Sequence, residues 1–129
     1  ATTEIYTLSH HDALPISIRC ISAYLDLNTV FEISGNKYAE TKHLSKTERI
    51  LSICKSNKAD HYINAIGGKA IYDKDEFSHH GILLQFVKSN SSTYQQFNNE
   101  FIPRLSIIDV MMFNEQNVVK NMLNDFTLE

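Results

Sequence analysis

The sequence predicts an α/β domain, layered, with a mostly parallel sheet flanked by helices and truncated at its N-terminal side. Three observations lead to that class. Segments 29–33, 59–64 and 82–87 are short and rich in β-branched, aromatic or aliphatic residues, and they alternate with helical patterns. The stretch between the first two has the length of a helical crossover, so those strands should pair in parallel. Residues 82–87 are apolar except for Gln85, which suits a strand covered on both faces. Three strands make a thin sheet, hence the expectation of further strands upstream.

Residues 1–16, ATTEIYTLSHHDALPI, resemble the translation of a widely used short-read sequencing adapter, differing at His10, where the adapter encodes Leu. They are set aside as an artefact without fixed structure, and residues 17–129 are read as the C-terminal part of a larger domain. His10, His11 and Asp12 then carry no metal reading. The segment has neither the basic start nor the continuous apolar run of a targeting peptide.

Residues 17–27 put Ile18, Ile21 and Leu25 on one helical face beside Tyr24. Strand 29–33 precedes a polar stretch, 34–44, that reads as a loop. Ser45-Lys-Thr-Glu48 is a capping box that opens a helix burying Ile50, Leu51, Ile53 and Cys54. After strand 59–64 come Gly67-Gly68 and a helical turn at 69–72. Asp73-Lys-Asp-Glu76 forms a second capping box, on a short helix that Gly81 ends. Residues 89–99 read as a polar loop. Pro103 fits the first turn of a helix running to Phe113, and a break at Asn114-Glu115 precedes a last helix with Val118, Val119, Met122 and Leu123.

Composition excludes several classes. The chain has 12 Lys+Arg and 15 Asp+Glu, with Glu4 and Asp12 in the segment set aside. The remainder lies within about one charge of neutrality, which gives no electrostatic case for nucleic acid or an anionic membrane. No apolar run approaches the roughly 18 residues of a transmembrane helix, so no membrane insertion is expected. Cys20 and Cys54 form no CxxC and read as buried free thiols of a reducing compartment. There is no HxH or HExxH spacing, and neither a metal nor another cofactor is expected. His79-His80 should instead meet helix-end carbonyls.

Chemistry can be carried by few residues. Gly67 and Gly68 follow a strand at the place where open α/β sheets bind ligands, yet GxGxxG and P-loop patterns are both missing. A ligand contact and a plain turn both fit. Asp109 interrupts an apolar helix face, and a buried carboxylate must be paired, hydrogen-bonded or protonated. A carboxylate on the polar stripe fits as well. His61 reads as a core or edge histidine or as a ligand contact. Tyr94, Gln95, Asn98 and Asn99 form an amide-rich loop able to contact a sugar or peptide, or simply to be solvated. No GxSxG context marks a serine nucleophile.

A set of these features resembles the WbqC-like protein family. It comprises Glu48-Arg49-Ile50, Ile53-Cys54, His61-Tyr62-Ile63-Asn64, Gly67-Gly68, Tyr72, Phe77, Gly81-Ile82 and Tyr94, then Phe101-Ile102-Pro103 and residues 105–114. Arg104 departs from the aromatic or small residue common there. The resemblance implies that this chain is the C-terminal half of a protein about twice as long. It further implies a cytoplasmic protein of bacterial surface-polysaccharide (O-antigen, lipopolysaccharide) synthesis. An acyl or aminoacyl transferase acting on a nucleotide-linked amino sugar is the implied reaction. Asp109 would then be catalytic, with Asn64, His61, Gly67, Gly68 and Tyr94 binding substrate. The partners implied are the sugar nucleotide and other polysaccharide-pathway enzymes. Set against this are a non-catalytic binding or scaffold protein, and a chain that is itself an inactive, poorly soluble fragment with an open sheet edge.

Overall fold

The computed structural model of the chain describes residues 3–6, 13–98 and 100–129; His10, His11, Asp12 and Asn99 lie outside them. Strand β1 (Thr3–Tyr6) and helix α1 (Ala13–Tyr24) lead to β2 (Val30–Ile33) and one helical turn, α2 (Ser34–Lys37). A 3₁₀ turn at Ala39–Thr41 precedes α3 (Lys46–Ser56) and β3 (His61–Ala65). A second 3₁₀ segment, Ile66–Ala70, leads into α4 (Lys74–His79) and β4 (Leu83–Ser89). After a long connection come α5 (Ile107–Phe113), α6 (Gln116–Met122) and β5 (Phe126–Leu128).

The strands form two sheets. β1 and β2 pair in parallel, Thr3 opposite Val30 and Tyr6 opposite Ile33. In the other sheet β4 is central, parallel to β3 (His61 opposite Leu83) and antiparallel to β5 (Val87 opposite Leu128). The α/β class holds, with helices against a three-stranded sheet, but that sheet is mixed rather than mostly parallel. The strand at 29–33 pairs with β1 and not with β3. Its polar contacts go elsewhere. Glu32 receives the Tyr38 hydroxyl at 2.9 Å and the Lys37 ammonium, and Asn57 at the end of α3 donates to the Tyr38 oxygen at 2.6 Å. Arg49 reaches Thr41 Oγ1 and the Ser34 carbonyl from the same helix. Stretch 34–44 is therefore structured, with Ser34, Tyr38 and Thr41 buried.

The core lies between α3, α4 and one face of the second sheet. Ile50, Leu51 and Cys54 of α3 meet Phe77 of α4 and Ile82, Leu84 and Phe86. Burial of Cys54 pushes its thiol pKa up, and Cys20 is exposed, contrary to the expectation of two buried thiols. The alternation of β4 explains a second correction. Leu84 and Phe86 point into the core while Leu83 stays 52 % exposed, so the strand is covered on one face only among the described residues. Ile63, Phe126 and Leu128 are exposed too, and Ile63 and Leu128 share the outward face with Leu83.

Local chemistry sets the ends of the helices. Ser45 Oγ accepts from the Glu48 amide at 3.3 Å, and the Glu48 carboxylate accepts from the Ser45 amide at 3.1 Å, closing the capping box. Asp73 caps α4 by accepting from Asp75 N, but Glu76 does not return the bond. At the other end Gly81 takes φ +72°, Gly81 N–H donates to the Ser78 carbonyl and Ile82 N–H to the Phe77 carbonyl. That is a Schellman motif, with its apolar contact between Phe77 and Ile82 inside the core. α5 begins at Ile107 rather than near Pro103. Arg104 has φ 61°, which no helix accepts, and Ser106 is the cap, its hydroxyl accepting from Ile108 N. Asn114 is extended, which makes the expected break before α6.

Gly68 is buried, and a Cβ there would stand 2.9 Å from Asn64 Oδ1 and 3.2 Å from the Phe86 ring. At Gly67 an added Cβ would meet nothing within 4 Å. Urea denaturation should therefore separate the pair: Gly68→Ala lowers stability by about 1–3 kcal/mol through overpacking. Gly67→Ala leaves it unchanged or raises it by up to about 1 kcal/mol. The reverse order would remove the close approach as the reason for the second glycine. Stability should also fall in acid through Glu32, whose pKa is held below its usual 4.5 first by the Lys37 contact and also by the Tyr38 hydroxyl. In the unfolded chain the group titrates near its ordinary value, so the contribution is complete above about pH 4.5 and lost as pH falls through the lower folded value. Melting temperatures between pH 6 and 3 should fall less steeply in Glu32→Gln than in the parent.

Candidate functional site

The connection from β4 to α5 is pinned at its start. Asn90 N–H donates to the Asp125 carbonyl, and the Asn90 amide and Ser92 hydroxyl donate to the two oxygens of the Asp125 carboxylate at 2.8 and 2.9 Å. These donors, Asn90 first, hold Asp125 below the usual carboxylate range. Beyond that anchor the chain places Tyr94 and Gln96 against the first turn of α5, where Asp109 sits.

Three side chains converge there. The Tyr94 hydroxyl donates to Asp109 Oδ2 at 2.6 Å, and Gln96 Nε2 lies 3.1 Å from the same oxygen, from the Tyr94 hydroxyl and from the Ile102 carbonyl. Ile102 N–H donates back to Gln96 Oε1 at 2.8 Å, so the carboxamide pairs with a backbone amide as one strand pairs with another. Gln96 is 7 % exposed and Asp109 half-buried, so the carboxylate is neither fully buried nor on a solvated stripe. The hydrogen bond to Asp109 pushes the Tyr94 pKa up, because ionising the phenol would set two negative charges side by side. Asp109 Oδ2 carries both bonds, and no hydrogen bond to Oδ1 occurs among the described residues.

Aromatic rings wall the group. Phe101 meets Tyr94 edge-on at 5.2 Å, Phe113 of α5 lies 6.4 Å from Tyr94, and Phe97 stands perpendicular to Phe113 at 4.7 Å. Phe97 has φ 48° and is 71 % exposed; Ile108 and Met112, one helical turn apart on α5, are exposed as well. Exposed apolar side chains thus occupy the same loop and helix as the polar group.

The other residues singled out in the sequence fall in two places. Asn64 and Gly68 are in contact, with the Asn64 amide donating to the Tyr62 hydroxyl at 2.8 Å and Gly67 beside them. Burial pushes the Tyr62 phenol up to about 12. His61 projects from the opposite face of β3, exposed, its Nδ1 2.9 Å from Asp60 Oδ1. No hydrogen bond joins Asp109 and Tyr94 to either group. His79 Nδ1 meets the Asp75 carbonyl within α4, and no metal-binding cluster of three His, Cys, Asp or Glu occurs among the described residues. A shallow groove of about 370 Å³ beside Lys74, Ser78 and Gly81 includes none of these residues.

Gln96 was missed by sequence reasoning. The loop pattern points to Gln95, Asn98 and Asn99, but Gln95 is exposed and, among the described residues, donates only to the Phe97 carbonyl, at 3.4 Å. Its one signal was position, two residues after Tyr94 in a chain that alternates sides. Replacing Gln96 with Ala should cost about 1–3 kcal/mol, because it strands the Ile102 amide and removes a donor from Asp109. Gln95→Ala should cost under about 0.5 kcal/mol, as a surface change. Denaturant midpoints of the two variants check this ordering.

No curated protein and no solved structure matches the chain. No helix among the described residues is long and apolar enough to cross a membrane. The model of the WbqC-like protein family matches residues 7–121, which include part of the adapter-like segment and all of the Tyr94–Gln96–Asp109 group and end before β5. With most of its length matched, the chain belongs to the WbqC-like protein family.

Proposed function

We propose that this chain contributes to a cytoplasmic transferase of bacterial surface-polysaccharide synthesis that acylates the amino group of a nucleotide-linked sugar. The observation that supports it best is the half-tied carboxylate: Asp109 Oδ2 is fixed by Tyr94 and Gln96, leaving Oδ1 to accept a proton. In this reading the neutral amine of the sugar attacks the carbonyl of an activated acyl ester or thioester. The C–N bond forms as Asp109 Oδ1 takes the amine proton. The bond to the leaving group then breaks, and that proton passes to the departing oxygen or sulfur. Tyr94 and Gln96 hold the carboxylate so that no reorganisation is needed at that moment. Phe101 and Phe113, packed against Tyr94, shield the acyl group from water. Gly67 and Gly68 are assigned to the phosphate-bearing part of the substrate, with Asn64 beside them.

A second reading has its own observation. Phe97 on the loop and Ile108 and Met112 on α5 expose 71, 57 and 75 % of their surface, as residues that dock another polysaccharide-pathway enzyme would. One experiment separates the two. Purified protein is incubated with UDP- and dTDP-amino sugars and acyl donors, and products are read by mass spectrometry. Acylated sugar is expected, formed about 10²–10⁴-fold more slowly by Asp109→Asn. Absence of turnover across the panel, with Asp109→Asn still restoring polysaccharide in a deletion strain, would replace catalysis with the scaffold role.

A further inference from the structure

The 3₁₀ segment Ile66–Ala70 is fixed over a row of three residues on one face of the mixed sheet. Asn64, Phe86 and Glu129 lie side by side: Asn64 is opposite Phe86, and Phe86 and Glu129 exchange N–H···O bonds of 2.9 and 3.0 Å in both directions. Gly68 is the residue that fits against Asn64 and Phe86. The next residue, Lys69, is thereby brought to the far end of the row, where its ammonium pairs with Glu129 Oε2. Lys88, two residues beyond Phe86 and on the same face of β4, has its ammonium 3.8 Å from Glu129 Oε1. Lys74, on α4, holds its ammonium 5.9 Å from the centre of the Phe86 ring. Two ammonium groups thus meet the Glu129 carboxylate, and a third stands over the ring of Phe86, its neighbour in the row. All three act on that carboxylate, with the Lys69 hydrogen bond first in lowering its pKa.

Like charges so placed repel one another, and the Glu129 side-chain carboxylate is shared between Lys69 and Lys88. Lysine is a point-charge donor that suits phosphate oxygens. The cluster lies toward the carboxyl ends of the parallel pair β3 and β4, where ligands of such sheets bind, and open space lies over Gly67. We propose that Lys69, Lys74 and Lys88 form a binding site for a phosphate or diphosphate group, in which the Glu129 carboxylate occupies the anion's place until ligand arrives. The proposal rests on assigning Gly67 and Gly68 to the phosphate-bearing part of a substrate. It extends that assignment to three cations and an internal competitor.

Calorimetric titration of the full chain with sodium pyrophosphate at low ionic strength tests it, with no sugar or acyl donor present. Saturable binding is expected, weakened by added sodium chloride. Lys69→Ala and Lys88→Ala should each weaken it about tenfold, as loss of a charge-assisted contact does. Glu129→Gln should tighten it by a similar factor, because a competing charge is gone while the side-chain shape remains. Lys69→Arg, which keeps the charge and the tie to β5, should bind, so that misfolding of Lys69→Ala is told apart from loss of contact. Inorganic phosphate and UDP distinguish the sources of the group: tighter UDP binding assigns a nucleotide, and equal affinities assign free phosphate or pyrophosphate. No saturable binding by the parent chain, or equal or weaker binding by Glu129→Gln, overturns the proposal. Pyrophosphate binding without acyl transfer counts against the transfer reaction alone.

Discussion

Phe77 is the residue through which the second sheet, its helix and its loop are held together. Its ring is fully buried, stacked on Tyr62 of β3 at 5.5 Å and edge-on to Tyr72 at 5.9 Å, in one cluster with Leu84 and Phe86. Its carbonyl meanwhile accepts the Ile82 amide that ends α4 and starts the chain toward β4. The same residue therefore fixes both the depth of the helix over the sheet and the point where the chain leaves it. Burial of a ring this size contributes about 1.5–3 kcal/mol, a large fraction of a net stability of about 5–15 kcal/mol. The left-handed Gly81 makes that double role possible, since the turn needs a backbone conformation costly for other residues.

The two polar groups on which function is placed are built differently. Around Asp109 the donors are a tyrosine and a glutamine, both neutral, and the surroundings are aromatic; the group is suited to handling a proton. Around Glu129 the donors are cations on an exposed surface, and the group is suited to an exchangeable anion. They also depend on different anchors. The first depends on Asp125 holding the start of the loop, the second on Gly68 letting the 3₁₀ segment lie close to β4.

What the sequence disclosed was mostly local. The Ser45–Glu48 capping box, the stop at Gly81 and the break at Asn114 each depend on a few neighbouring residues whose chemistry is visible in one dimension. Asp109 stands out because a carboxylate in an apolar helix face is costly, and Tyr94 stands out separately, in the amide-rich loop; only the structure joins them. Pairing between distant segments was not legible. Strand 29–33 carries no mark that sends it to β1 instead of β3, and the pattern of 126–128 is too short to announce a strand. The continuous apolar run of β4 implied two covered faces, whereas only the inward alternate residues are buried. Pro103 suits a first helical turn and so suggests too early a start for α5, while the left-handed Arg104 beyond it leaves no trace in the sequence. Gln96 was hidden among similar amides because only its place in space distinguishes it from Gln95.

The late position of β5 carries a consequence for the order of assembly. β3, α4 and β4 are near one another along the chain, and their contacts close small loops. The exchange between Phe86 and Glu129, and the hold of Asp125 on Asn90 and Ser92, must span the whole connection through α5 and α6. Pairings of such separation pay their loop entropy before they gain contacts, and they tend to form last. The last segment to dock thus brings Glu129 and the Asp125 anchor, so a ribosome-bound or C-terminally clipped chain would lack the Glu129 group and leave the loop toward Tyr94 unpinned at its start.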